Sequence, residues 1–332
     1  MGVTRRESMM LAAALAVAPR AAWAEAPLLP VFADFGRAAP DHGAYDQAID
    51  RGADFLVAPV VPTKDGSLIV APDPELSALT DVARRPEFGD RRKDTTIDGA
   101  PVSGWFCEDF TLGELKSLVT GAPARNGGRV APPGLLSLQD VIDIARAGCV
   151  RQARVVGVSP RLVHPAYFAA QELNLEVRLA DLVRIGGYDS TAAAMIAQAW
   201  EPASLRTLAG LSRIRRIQLV ETEGGPADPA APRYAAMTLP DGLKAVSGWA
   251  HAIAPTEPLL IQPATRGAIQ PTGLAAAAHA AGLRVYARAT APAARSRLTA
   301  LFLAGADGVM CSDAGLATRA RGEAMEKLRP TG

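Results

Sequence analysis

Short apolar runs alternate with helix-spaced patterns along most of the chain. Residues 28–33 predict a first strand. Residues 44–51 predict a short helix with Ala44, Ala48 and Ile49 on one face. Residues 55–61 are apolar throughout, as a parallel strand covered on both faces must be. Lys64-Asp65-Gly66 supplies a tight turn, and residues 67–71 return as another extended piece. Ser137, with Asp140 three positions on, caps a helix whose Val141, Ile142 and Ala145 face inward. Further strands are predicted at 155–158, 194–199, 216–220, around Ala252-Ile253, at 283–287 and at 308–310. Helices are predicted at 165–173, 204–211, 242–250, 272–281 and 293–303. Eight strands alternating with helices argue for an α/β fold, a closed parallel (β/α)8 TIM barrel. An open doubly wound sheet lacks support, because no Gly-x-Gly-x-x-Gly follows the first strand.

One stretch breaks the rhythm. Residues 74–133, after the second strand, are rich in Arg, Asp, Gly, Pro and Thr and contain Gly104-Trp105-Phe106. They read as an insertion packed over one end of the barrel, within a single unit spanning 25–332. Before that unit, Arg5-Arg6, an apolar run over 11–18 and Ala22-Trp23-Ala24 have the order of a secretory leader, with cleavage expected after Ala24. The paired arginines point to the twin-arginine route, and so to a periplasmic or secreted protein. The apolar run is short of the ~20 residues that span a bilayer, and no later stretch qualifies, so no membrane span is expected in the mature chain.

Charge and composition remove several partner classes. The leader carries Arg5, Arg6 and Arg20 against Glu7, a net of +2, which leaves −1 of the chain's +1. With aromatics at 5%, nothing favours nucleic acid. Cys107, Cys149 and Cys311 fit no zinc spacing, and an odd count leaves at least one thiol unpaired within the chain.

Barrel chemistry sits at the carboxyl ends of the strands. Those ends offer Asp34, then Val57 and Pro59, then Arg161, Gln198 and Glu201, Glu221, His251, Arg288 and Asp313. A hard cation needs several converging oxygens, and the second strand offers none. Glu221 and Asp313 are expected to cap helices or pair on the rim. Arg161 and Arg288 are candidate anion ligands through charge-assisted hydrogen bonds, against a plainer reading as surface arginines paired with local acids. Of the histidines, His42 lies in the first loop and is the one expected near the mouth. His164 is expected to open a helix, and His279 falls inside one.

Several fragments, in order, resemble the glycerophosphodiester phosphodiesterase family in its longer secreted bacterial form. They are Gly52-Ala-Asp-Phe-Leu56, Thr63-Lys-Asp-Gly66, Asp73-Pro-Glu-Leu76, Thr95-Thr-Ile-Asp-Gly99, Gly104-Trp-Phe106, Glu108-Asp-Phe-Thr-Leu112 and Ala278-His-Ala-Ala-Gly-Leu283. The resemblance implies a barrel holding calcium or magnesium. It also implies hydrolysis of glycerophosphodiesters to glycerol 3-phosphate and an alcohol, with two histidines as acid and base. Carried across by position, the first His-Arg pair falls on Asp34 and Phe35, with Gly36 retained. The strand-two metal carboxylates fall on Val57 and Pro59, and the second histidine on Pro72. The strand-three glutamate falls on Arg161 and the lysine after it on Val163.

These replacements imply loss of the metal and of the acid and base, so no cofactor and no catalytic residue of the family mechanism is expected. The leading expectation is a degenerate member that binds a phosphorylated or anionic ligand through Arg161 and Arg288. A second is a working phosphodiesterase with relocated chemistry, for which Asp34, Asp41, Asp73 and Glu221 are candidates. A third is a partner-binding protein that uses the insertion.

Overall fold

The computed structural model of the chain describes residues 29–120, 134–263 and 269–329. The expected leader and the last part of the insertion lie outside them. Among the described residues the strands are β1 (Val31–Ala33), β2 (Phe55–Pro62), β3 (Leu68–Val70), β4 (Lys93–Ile97), β5 (Ala100–Gly104), β6 (Gly157–Leu162), β7 (Ile196–Ala199), β8 (Arg215–Val220), β9 (Ala252–Pro255), β10 (Ile261–Pro263), β11 (Ile269–Pro271), β12 (Arg284–Arg288) and β13 (Gly308–Cys311). Eight of them run parallel in the order β1, β13, β12, β9, β8, β7, β6, β2. The pairing of β1 with β2 closes the ring. The (β/α)8 barrel read from the alternation is the fold, and β3 adds an antiparallel edge to β2.

All eight residues of β2 are buried, because the strand has the barrel interior on one side and helices on the other. Alternate positions fill the interior with Phe32, Phe55, Val57, Ile217, Tyr286 and Met310, among others. Phe32 and Phe55 stack with centroids 4.8 Å apart. The complementary positions, including Val31, Leu56, Ala58 and Val60, belong to the larger cluster shared with the helices. Each core leucine or isoleucine of this kind contributes roughly 1.5–3 kcal/mol by leaving water.

Two predictions of local structure shift. The third barrel strand runs Gly157–Leu162, where 155–158 is expected; Ser159, Pro160 and Arg161 lie inside it. Proline and arginine disguise a strand that is buried along its whole length. The helix expected over 165–173 is short (Pro165–Ala169), and a second, unpredicted helix follows at Leu175–Ile185. The capping box at Ser137 and Asp140 forms as read and opens Leu138–Gln152.

After β3 the chain leaves the barrel. Thr63, Lys64 and Asp65 hold this excursion to the barrel: the Lys64 N–H donates to the Phe110 carbonyl at 2.9 Å, and Asp65 accepts from the Leu112 N–H at 3.2 Å. Within it, β4 and β5 form an antiparallel hairpin with its turn at Asp98-Gly99.

Candidate functional site

A cavity of about 410 Å3 opens at the carboxyl ends of the barrel strands. Its walls include Asp34, Arg37, Pro59, Arg161, Trp200 and Arg288. Asp34 follows β1, and its Oδ1 accepts from the Gly36 N–H at 3.0 Å. That tight turn uses the left-handed conformation of Gly36 (φ 64°), which a side chain would strain. Arg161, near the end of β6, reaches across the barrel and forks onto Asp34. Nη1 lies 3.3 Å from Oδ1, and Nη2 contacts Oδ2.

The third guanidinium donor is also committed. Arg161 Nε donates to Gln198 Oε1 at 3.2 Å, Gln198 Nε2 donates to Ser159 Oγ at 2.8 Å, and Ser159 Oγ donates to the Ile196 carbonyl at 2.7 Å. Arg161 is 5% exposed, so it is no surface arginine. Burial pushes the Asp34 carboxyl up, but the charge and hydrogen bonds of Arg161, the Gly36 amide and the charge of Arg288 outweigh it and hold it below the usual aspartate value.

A second pair faces the first. Arg288, at the end of β12, binds Glu221, which follows β8. Trp200, which follows β7, donates Nε1–H to Glu221 Oε1 at 2.8 Å. The Trp200 ring lies 5.4 Å from the Arg161 guanidinium carbon and 5.7 Å from that of Arg288, so one indole serves both cations. Burial raises the Glu221 carboxyl, yet Arg288, Trp200 and Arg161 together leave it lowered. Glu221, its side chain 36% exposed, thus forms a salt bridge at the mouth, one of the two roles expected of it. The Arg288 Nε is buried with no hydrogen-bond partner.

The other candidates disperse. Asp73 pairs with Arg37 at 3.2 Å, and both residues are solvent-accessible. Asp41 does not converge on the site. It is the N-cap of the helix His42–Asp50 and accepts from the Ala44 N–H at 2.8 Å. His42 is exposed and pairs with Asp46 at 3.0 Å. Asp313 caps the helix Ala314–Leu328, as expected.

His251 is a correction. It precedes β9 at the opposite end of the barrel, where its Nδ1 accepts from the Arg216 N–H at 3.2 Å. Burial and the charges of Arg216 and Arg215 lower its pKa. His279 pairs with Asp307 at 2.7 Å. Cys107, Cys149 and Cys311 are all free thiols.

Sequence reasoning missed Trp200, which carries no motif. It also missed that His164 contacts Asp98 of the hairpin turn at 2.5 Å. Glu201, named only as a strand-end acid, is 6% exposed with one carboxyl oxygen buried and unpartnered.

A metal would need oxygens or histidines converging here. Val57 sits in the apolar interior, Pro59 presents hydrocarbon to the cavity, and a guanidinium occupies Asp34. Among the described residues no group of three or more His, Cys, Asp or Glu comes together as a metal ion requires. The residues of the mouth do not fit a hard divalent cation.

The model of the glycerophosphoryl diester phosphodiesterase family matches residues 42–313. The chain belongs to this family. A curated relative, the glycerophosphodiester phosphodiesterase GDPD6 of Arabidopsis thaliana, is 27% identical over 259 residues, which is 73% of this chain and 68% of the relative. Among solved structures, a putative glycerophosphoryl diester phosphodiesterase of Silicibacter pomeroyi aligns with a TM-score of 0.64 at 17% identity. That alignment covers 90% of this chain and 95% of the other. A phosphodiesterase of Oleispira antarctica, in complex with the product sn-glycerol-3-phosphate, aligns at 0.60 with 16% identity and covers 89% and 97%. These structures share the fold of the family member described here.

Proposed function

We infer that this protein is an exported member of the family that does not hydrolyse phosphodiesters by a metal-dependent route, and that its mouth binds a phosphorylated or anionic group. The carrying observation is the pair of guanidiniums, Arg161 and Arg288, set against one indole at the wall of one cavity. Planar guanidinium forks match the oxygens of a phosphate as they match those of a carboxylate. Arg288 lines the cavity, and Glu221 is half-buried and able to yield its place. Arg161 stays locked to Asp34 and contributes its field. The unsuitability of Val57, Pro59 and Arg161 as cation ligands supports the loss of the family chemistry. The paired arginines and apolar run of the leader support export.

The test is calorimetry with inorganic phosphate and glycerol 3-phosphate, beside an assay on glycerophosphocholine with calcium or magnesium. Binding heat lost in Arg288→Met, with no glycerol 3-phosphate released, is the expected result. No heat from either ligand would sink the binding reading. The relatives' names favour a working phosphodiesterase as the second reading. Metal-dependent release that vanishes in Asp34→Ala would establish it in place of the first.

A further inference from the structure

Beside the mouth, and independent of the ligand reading, lies a titratable cluster that joins the β4–β5 hairpin to the barrel. The hairpin is fixed at its root. Lys93 pairs with Asp109 at 2.8 Å and Glu108 at 3.3 Å, and Tyr167 donates to Glu108 at 2.5 Å. Along its length it buries little, since most residues of both strands are exposed or half-exposed. Such a segment has a low local opening free energy unless something holds its far end. That end is the turn at Asp98, and its side chain contacts His164 Nδ1 at 2.5 Å. Both residues take the left-handed backbone conformation, Asp98 at φ 48° and His164 at φ 47°. Non-glycine residues are strained in that region, so the surroundings must favour the contact. Beside the hairpin lies an open groove of about 780 Å3, walled by Thr95, Thr96, Asp98, Tyr167, Gln171 and Asp228 among others.

We propose that the Asp98–His164 contact is a proton-dependent clasp that holds the tip of the hairpin at this groove. The groups around it are known from every side. His164 meets Asp98 from the hairpin, Asp73 from the loop after β3 and Glu201 from the end of β7. Glu201 meets Asp98, His164 and, from the helix Leu175–Ile185, Glu176, and its charge is felt by Tyr234.

Burial lowers the His164 pKa, but its bond to Asp98 and the three nearby acids reverse this and leave it raised. Burial, with the charges of Asp98 and Glu176, pushes Glu201 up to about 7, against its own backbone amide and His164. The closed form binds protons more tightly than the open form, so it is favoured at low pH. The hold is lost once pH passes the raised value of His164, where the ion pair with Asp98 breaks.

The experiment is hydrogen exchange of the full chain at about pH 5.5 and about pH 8.5, corrected for intrinsic rates, with the amides of β8 as an internal reference. The expected result is a loss of protection in β4 and β5 of roughly tenfold or more between the two, as the loss of a charge-assisted hydrogen bond gives, while β8 does not change. Asp98→Asn keeps a residue that tolerates the left-handed turn and removes the charge. Its hairpin should exchange at the lower pH as fast as the wild-type hairpin does at the higher one. Glu201→Gln removes one of the acids that raise His164, so its hairpin should lose protection at lower pH than the wild type. Equal hairpin protection of the wild type at both pH values overturns the proposal. So does an Asp98→Asn variant that keeps the wild-type pH profile. If that variant does not fold, the wild-type series and Glu201→Gln still decide.

Discussion

The two ends of the barrel solve one problem differently. At the floor, the single carboxylate of Asp54 is shared by two arginines. It lies 2.7 Å from Arg321 and 3.4 Å from Arg154, and it also accepts from the Val31 N–H at 2.9 Å. At the mouth, two arginines have a carboxylate each and share the face of Trp200 instead. The floor ties β1, the loop before β2 and the last helix together. The mouth borders a cavity and keeps an unpartnered Arg288 Nε–H. Charge pairs alone therefore say little about function. Guanidiniums that line an open volume separate a site from a staple.

The floor is where a single change should do most damage. Asp54→Ala leaves Arg154 and Arg321 facing each other and strips the Val31 N–H of its partner. It should cost about 3–5 kcal/mol in urea denaturation. A loss below ~1 kcal/mol would show that the floor arginines find water easily, and the contrast with the mouth would fail.

A smaller effect is expected at the mouth. Arg161→Met leaves Asp34 without its fork, but water entering from the cavity can solvate the carboxylate, so the loss should be nearer ~2 kcal/mol. Adding Asp34→Leu removes the stranded charge and should recover most of that loss, since an apolar replacement of a buried pair is often neutral. A double variant as unstable as the sum of its singles would mean that Asp34 and Arg161 are not coupled, contrary to their geometry.

The barrel was legible because its strands are short, apolar and bounded by turn residues. The failures are local and have causes. Val155 and Val156 look like a strand start, but the strand begins at Gly157 and continues through Pro160 and Arg161. Hydrophobicity marks burial, and here a buried arginine satisfied by Gln198 and Asp34 lies in the strand. Asp34, Arg161, Glu221 and Arg288 could be named from their places at strand ends, although their pairing is set by the closure of the ring and is not written in spacing. Asp41 has the same type and a similar place in sequence as Asp34, but it caps a helix, a role that Ala44 three residues on makes plain only in hindsight. Trp200 was invisible because a single aromatic after a strand reads as core.

The smallest predicted effect bears on that residue. Trp200→Leu keeps apolar bulk at the mouth, removes the π face from both guanidiniums and takes a hydrogen bond from Glu221. Cation–π contacts at part-exposed sites are worth about 0.5–1 kcal/mol, so fold stability should change little. The Arg288 side chain loses its orientation, however, and the freed Glu221 competes better for it. Phosphate affinity by calorimetry should therefore fall by roughly five- to tenfold, about 1 kcal/mol, with the midpoint of unfolding nearly unmoved. If affinity falls only in proportion to stability, Trp200 is packing and no more, and the mouth differs from the floor in its cavity alone. If affinity falls while stability holds, the indole is what distinguishes an arginine poised for a ligand from one that is merely paired.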